Sequence, residues 1–218
     1  MNQQEQEKMD LEFYKAYAKD KTISRSDFIE AYQKKHIKAK ATRANHFNVT
    51  APSEDHKKIY TALETYCKKF PNVTTPNLVI WGKTGTGKTF LTEMISKTLT
   101  DRDFWVENTT AFNMVHAFRK YDNSFGRDTE TIDNFLECDL LVIDDLGSEP
   151  KNFNANEHIY NIINERLRNQ RAFIITTNFN PLAINEKYDQ RIASRMFADK
   201  TSTVIELDGK DLRLNPVK

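Results

Sequence analysis

The run Gly82-Lys83-Thr84-Gly85-Thr86-Gly87-Lys88-Thr89 matches the phosphate-binding pattern G-x-x-x-x-G-K-T at every fixed position. Gly82, Gly85 and Gly87 leave the backbone free to curl, so that successive N–H groups and the positive end of the following helix face phosphate oxygens. Lys88 adds a mobile positive charge for the β- and γ-phosphates, and the Thr89 hydroxyl is a hard oxygen ligand suited to Mg²⁺. The chemistry implied is the binding of ATP with Mg²⁺. The apolar run Leu78–Trp81 precedes this loop and a helical pattern follows it, which is the context a phosphate loop needs; a chance match is set aside on that ground.

Further along, Leu140-Leu141-Val142-Ile143 runs into Asp144 and Asp145, the arrangement of a Walker B strand. In an open parallel sheet, carboxylates at the C-terminal end of a strand lie beside the phosphate loop. Asp144 would then hold Mg²⁺ through water, and Asp145 would orient or deprotonate the water that attacks the γ-phosphate. Alone, such a pair more often makes a turn or a helix cap; it reads as a site because Lys88 accompanies it. The run Phe173–Thr177 ends at Asn178, whose amide could bridge the γ-phosphate and the attacking water, although an Asn in that place also commonly turns the chain. Arg191 and Arg195 lie one turn apart on a predicted short helix, hence on one face. They read either as surface charges or as arginines that reach a γ-phosphate held by a neighbouring subunit.

These residues need a scaffold. From Asn77 onward the periodicity predicts strands at Leu78–Trp81, Phe104–Val106, Leu140–Ile143, Phe173–Thr177 and Thr203–Leu207. Helices are predicted between them at Thr89–Leu99, around Phe112–Tyr121 and Ile132–Glu137, at Glu157–Asn169 and near Gln190–Met196. Continuous apolar strands separated by helices call for an α/β fold, a five-stranded, mostly parallel sheet between helices. Upstream, Ile59, Tyr60, Leu63, Tyr66, Cys67 and Phe70 trace an amphipathic helix ended by Pro71, with residues 45–52 as a connector before it. Before that, Met9, Phe13, Tyr14, Ala16 and Tyr17 have helical spacing. A second helix starts near Ser26 with Phe28, Ile29, Tyr32 and His36 on one face and a basic end at Lys34, Lys35, Lys38, Lys40 and Arg43. The expected division is a helical arm at 1–44 and one larger domain at 45–218.

The chain has 218 residues, enough for one α/β domain with an appendage. Its 32 basic and 31 acidic side chains leave a formal charge of +1, so any basic surface must be local. The two cysteines, Cys67 and Cys138, are far apart, which argues against a disulfide framework or a zinc site. The polar, acidic start and the lack of a long apolar run predict no membrane partner and a cytoplasmic location.

Taken together, GKTGTGKT at 82–89, LLVIDDLG at 140–147, TTN at 176–178, RIASRM at 191–196 and GKDLR at 209–213 resemble the AAA+ P-loop ATPases of the DnaC/DnaI replicative helicase-loader type, with the IstB transposition ATPases close by. The resemblance covers residues 45–213. It implies that Arg195 is the arginine finger, Asn178 is sensor 1, and Arg213 takes the place of the sensor 2 arginine. It also implies that the arm grips a hexameric replicative DNA helicase, that subunits self-associate through the ATP site, and that the segment 118–125 contacts single-stranded DNA. Aromatic rings beside cations there make Lys120, Tyr121 and Phe125 the DNA candidates; Phe118 and Tyr121 read equally well as packing a helix onto the sheet.

Three features depart from the family pattern. Asp145 stands where most AAA+ proteins carry Glu, so slow or assisted hydrolysis is expected. Only eleven residues follow Leu207, so no C-terminal helical lid is expected, and the arm lacks the cysteines of the DnaI zinc domain. The function implied is an ATPase that loads the helicase at replication initiation, as part of a primosome. An IstB-like transposition helper is the near alternative, and an ATP-stabilised, non-hydrolysing DNA-binding adaptor is the alternative of another class. A small-molecule kinase would need a lid and an acceptor pocket.

Overall fold

The computed structural model describes residues 47, 49–123, 129–149, 154–209 and 211–212. The arm at 1–44, Phe125 and Arg213 lie outside the described residues. Helix α1 spans Glu54–Lys69, and Ser53 caps it by accepting from the His56 amide at 3.3 Å. Then follow β1 (Asn77–Gly82), α2 (Lys88–Thr100), β2 (Val106–Thr110), α3 (Ala111–Asn123), α4 (Glu130–Glu137) and β3 (Leu140–Leu146). The described part closes with α5 (Ala155–Arg168), β4 (Ala172–Thr177), α6 (Pro181–Lys187), α7 (Gln190–Met196) and β5 (Ser202–Leu207).

The sheet has the order β2-β3-β4-β1-β5 with every pairing parallel. Side chains alternate across it as the strand period of two requires. Leu78, Ile80, Leu140, Val142 and Ile174 point to the layer that holds Leu63 of α1 and Leu91, Met94 and Ile95 of α2. Val79, Leu141, Ile143, Phe173 and Ile175 point to the other, which holds Met114, Ile159, Ile162, Ile163 and Met196. Helices on both faces explain why the central strands are continuous apolar runs.

Two elements depart from expectation. The second strand is Val106–Thr110 rather than Phe104–Val106. It is an edge strand of largely polar sequence, with Asn108 taking a 2.8 Å hydrogen bond from Ser96 of α2, so hydrophobic patterning points a few residues upstream. The Pro181–Lys187 helix has no sequence counterpart in the expected set. Its start is nonetheless encoded, since Asn180 caps it by accepting from the Ala183 amide at 2.8 Å and Pro181 occupies its first turn.

Candidate nucleotide site

Strand order decides which residues meet. Because β4 lies between β3 and β1, the C-terminal ends of these three strands adjoin, and they carry Asp144 and Asp145, Asn178, and the phosphate loop. The crossovers run one way from β1 and the other way into β5, so this is also where connections diverge and where open α/β sheets leave a crevice.

The loop itself is tightly drawn. Gly87 takes φ +95° as it enters α2 with no side-chain cap, a left-handed value that favours glycine. Gly85 is closely covered: a Cβ there would collide with the Asp211 carboxylate, and its carbonyl accepts from the Leu212 amide at 2.9 Å. Thr86 is buried with its hydroxyl donating to the Lys83 carbonyl at 2.9 Å, whereas Lys83 and Thr84 are exposed.

Lys88 is buried, and its ammonium donates at 2.8 Å to the carbonyls of Gly82 and Lys83 and to Asn178 Oδ1. The Asn178 amide nitrogen in turn donates to Asp145 Oδ1 at 3.2 Å. A polar chain thus runs Lys88–Asn178–Asp145 across three strand ends. In parallel, the Thr89 hydroxyl donates to Asp144 Oδ2 at 3.0 Å, which places two hard oxygen donors together.

The carboxylates are aimed by a bulge. Ile143 pairs with Ile175 but Leu146 with Thr177, so β3 spends one residue more than β4 over this stretch, and Asp145 takes φ +55°. Asp tolerates that left-handed conformation better than most residues. The displaced Asp145 amide donates to Thr176 Oγ1 at 2.9 Å, and the same hydroxyl donates to Asp144 Oδ1. Thr177 ties the strands once more through a 2.7 Å bond to the Leu146 carbonyl. Sequence reasoning used these threonines only as part of a motif; the bulge that gives Thr176 its role leaves no pattern in the chain.

The two arginines have other partners. Arg191 pairs with Asp189 at 2.7 Å, and Arg195 donates to Asn164 and Tyr160 of α5; neither has a described bond to the phosphate loop. Asp189 also caps α7 by accepting from the Arg191 amide, and these Arg191 bonds hold its carboxyl down at about 2. On α3, Lys120 is exposed and Tyr121 packs partly against the core. Phe118 is a core residue, its ring stacked on His158 at 4.4 Å, which settles it as packing.

Another buried group was missed. Glu149 accepts from the Gly147 amide at 2.8 Å and from the Tyr188 hydroxyl, fastening the turn after β3 to the segment that leads into α7.

A family model described as IstB-like ATP binding protein matches residues 9–214. Among curated relatives, the chromosomal replication initiator protein DnaA of Campylobacter concisus is 31% identical over 144 residues, 64% of this chain and 32% of its own length. The chain therefore spans about a third of that relative. A crystal structure of the DnaC helicase loader superposes with a TM-score of 0.65 at 20% identity, covering 75% of this chain and 96% of that one. A crystal structure of DnaI gives 0.63 at 21%, covering 78% and 90%. The fold is that of the AAA+ P-loop ATPases.

Proposed function

The chain belongs to the family of IstB-like ATP binding proteins, and from that premise we propose that it is an ATP-hydrolysing loader that binds a hexameric replicative DNA helicase and helps place it on single-stranded DNA. The observation that carries the ATPase reading is the polar chain from Lys88 through Asn178 to Asp145, which ties a phosphate-binding cation to an acid at a neighbouring strand end.

In this reading Gly82–Thr89 hold the phosphates of ATP, with Lys88 turning from the loop carbonyls toward the β- and γ-phosphates. The Thr89 and Asp144 oxygens suit a hard cation with water completing its shell, so they would hold Mg²⁺, which supplies charge neutralisation at the phosphates. Asp145 orients the attacking water and takes its proton, and Asn178 holds that water against the γ-phosphate. Arg195 reaches the γ-phosphate of the adjacent subunit in a self-assembled array, and Arg213 serves as the second sensing arginine. An arginine supplied in this way contributes about 10³ to 10⁵ in rate, so assembly acts as the switch.

The arm at 1–44 holds the helicase, Lys120, Tyr121 and Phe125 touch single-stranded DNA, and the protein works in the cytoplasm. No helix among the described residues is long and apolar enough to cross a membrane. The helix pair expected at residues 9–43 supports the loader over the transposition helper. The family match itself favours the helper as the second reading.

Co-elution with the hexameric helicase of the same host, with ATP present, tests the partner. The intact chain is expected to co-elute and a chain lacking residues 1–44 is not; capture of a transposase and no helicase would favour the helper. Phosphate release in the presence of single-stranded DNA, with Lys88→Ala as the blank, separates either from a non-hydrolysing adaptor, which would give no turnover above the blank.

A further inference from the structure

Arg195 does not hang free. Its Nε–H donates to Asn164 Oδ1 at 2.9 Å, Nη2 to the Tyr160 hydroxyl at 3.0 Å, and Nη1 to the Arg191 carbonyl at 3.1 Å. The guanidinium also lies over the Tyr160 ring, 4.6 Å from its centroid, and the Arg191 guanidinium lies 4.8 Å from the same centroid. Among the described residues, three of the five N–H donors of the guanidinium are therefore committed, and two have no described bond.

We infer that Tyr160 and Asn164 are positioning residues that hold Arg195 for hydrogen bonding to a γ-phosphate outside its own subunit, an inference that rests on the proposed action of Arg195 between subunits. A guanidinium grips a phosphoryl oxygen pair with two donors, and the described bonds of this cradle leave two. A long side chain loses rotamer freedom when it orders at a subunit boundary; here that ordering is complete before the neighbour arrives, which is how preorganised catalytic groups save their cost. The platform is firm. Ile159, Ile162 and Ile163 of α5 share one buried cluster with Ile192, Ala193 and Met196 of α7, so the ring and amide on one helix are fixed relative to the arginine on the other. Asp189 pairs with Arg191, which relieves the repulsion between two guanidiniums over one ring.

The test is steady-state phosphate release by the full chain. Tyr160→Ala and Asn164→Leu are expected to lower kcat by about 10- to 100-fold, as misplacement of a catalytic group does, while KM for ATP stays within about twofold because ground-state binding is untouched. Asn164→Asp, which still offers an acceptor to Nε–H, recovers most of what Asn164→Leu loses. Tyr160→Phe keeps the ring and the α5–α7 packing and gives a smaller loss, which guards against reading an unfolded variant as a slow one.

In an Arg195→Ala background, Tyr160→Ala costs nothing further, because two changes that act through one group do not add. Wild-type kcat in both Tyr160→Ala and Asn164→Leu, faster turnover in either, or losses that multiply with Arg195→Ala would overturn the inference while leaving the arginine reading intact. Wild-type turnover by Arg195→Ala itself would instead remove the inter-subunit reading on which it stands.

Discussion

Lys88 has a resting position supplied by the fold: two loop carbonyls and Asn178 accept from it. Removing the cation takes away both that anchor and the charge that phosphate requires, so Lys88→Ala should bring phosphate release down to background, as a turnover assay would read. Thr176 carries a prediction that no motif announces. Its hydroxyl accepts from the partly buried Asp145 amide and donates to the Asp144 carboxylate. Thr176→Val, of nearly the same shape, should cost about 1 kcal/mol of stability for the hydrogen bonds lost, together with a fall in kcat. Chemical denaturation and phosphate release check the two parts, and unchanged values in both would remove Thr176 from the account.

Asp189 gives the pH dependence. Its carboxyl ordinarily titrates at 3.8 and is held at about 2 by Arg191, so its share in the cap of α7 is fully present above the ordinary value and is lost as pH falls through about 2. A carboxyl titration followed by NMR should show this low midpoint, and Arg191→Ala should return it toward the ordinary value. At this scale the sequence was legible where chemistry is written in residue types at fixed spacing, as at Lys88 and Asp144. It marked Thr176 only within the TTN run and was silent on Tyr160, Asn164 and Glu149, whose partners are brought by the fold from distant parts of the chain.

At the scale of elements, apolar strands and amphipathic helices were legible because burial on two faces demands unbroken hydrophobic runs. Strand β2 was misplaced because it sits at the sheet edge, where Glu107, Asn108, Thr109 and Thr110 need not be apolar and the signal fades. The bulge in β3 was hidden since a one-residue slip between two strands is a property of their pairing, not of either alone. Arg166 of α5 shows how such elements are fastened. It is fully buried and its guanidinium donates to the carbonyls of Phe135 and Cys138, at the end of α4, and of Ala172, at the start of β4. Burial also lowers its pKa, yet among the described bonds its partners are carbonyls and a thiol, so it acts as a knot of donors. Arg166→Ala should destabilise the fold by about 3–5 kcal/mol, from the cavity and the carbonyls stranded with it; a denaturation midpoint within error of wild type would contradict this.

For the whole molecule, both cysteines serve as fillers of the two cores. Cys67 and Cys138 are fully buried, and burial pushes their thiols up to about 12 and about 11. At pH 8 neither should react with a disulfide reagent in the native protein, and both should react once it is denatured, since the thiolate is the reactive form. In the proposed function the site is completed from outside: the phosphate loop, Asp144, Asp145 and Asn178 converge at one end of the sheet, while Arg195 is cradled on α5 and α7 with no described bond to them. Mixing two inactive chains tests whether hydrolysis depends on a second subunit. Lys88→Ala retains Arg195 but cannot use ATP, and Arg195→Ala retains its phosphate loop but lacks the arginine. Phosphate release should be low for each alone and should recover when the two are combined, because one chain supplies the arginine that the other lacks. A mixture no faster than the sum of its parts, or an Arg195→Ala chain as fast as wild type, would rule out a site shared between subunits.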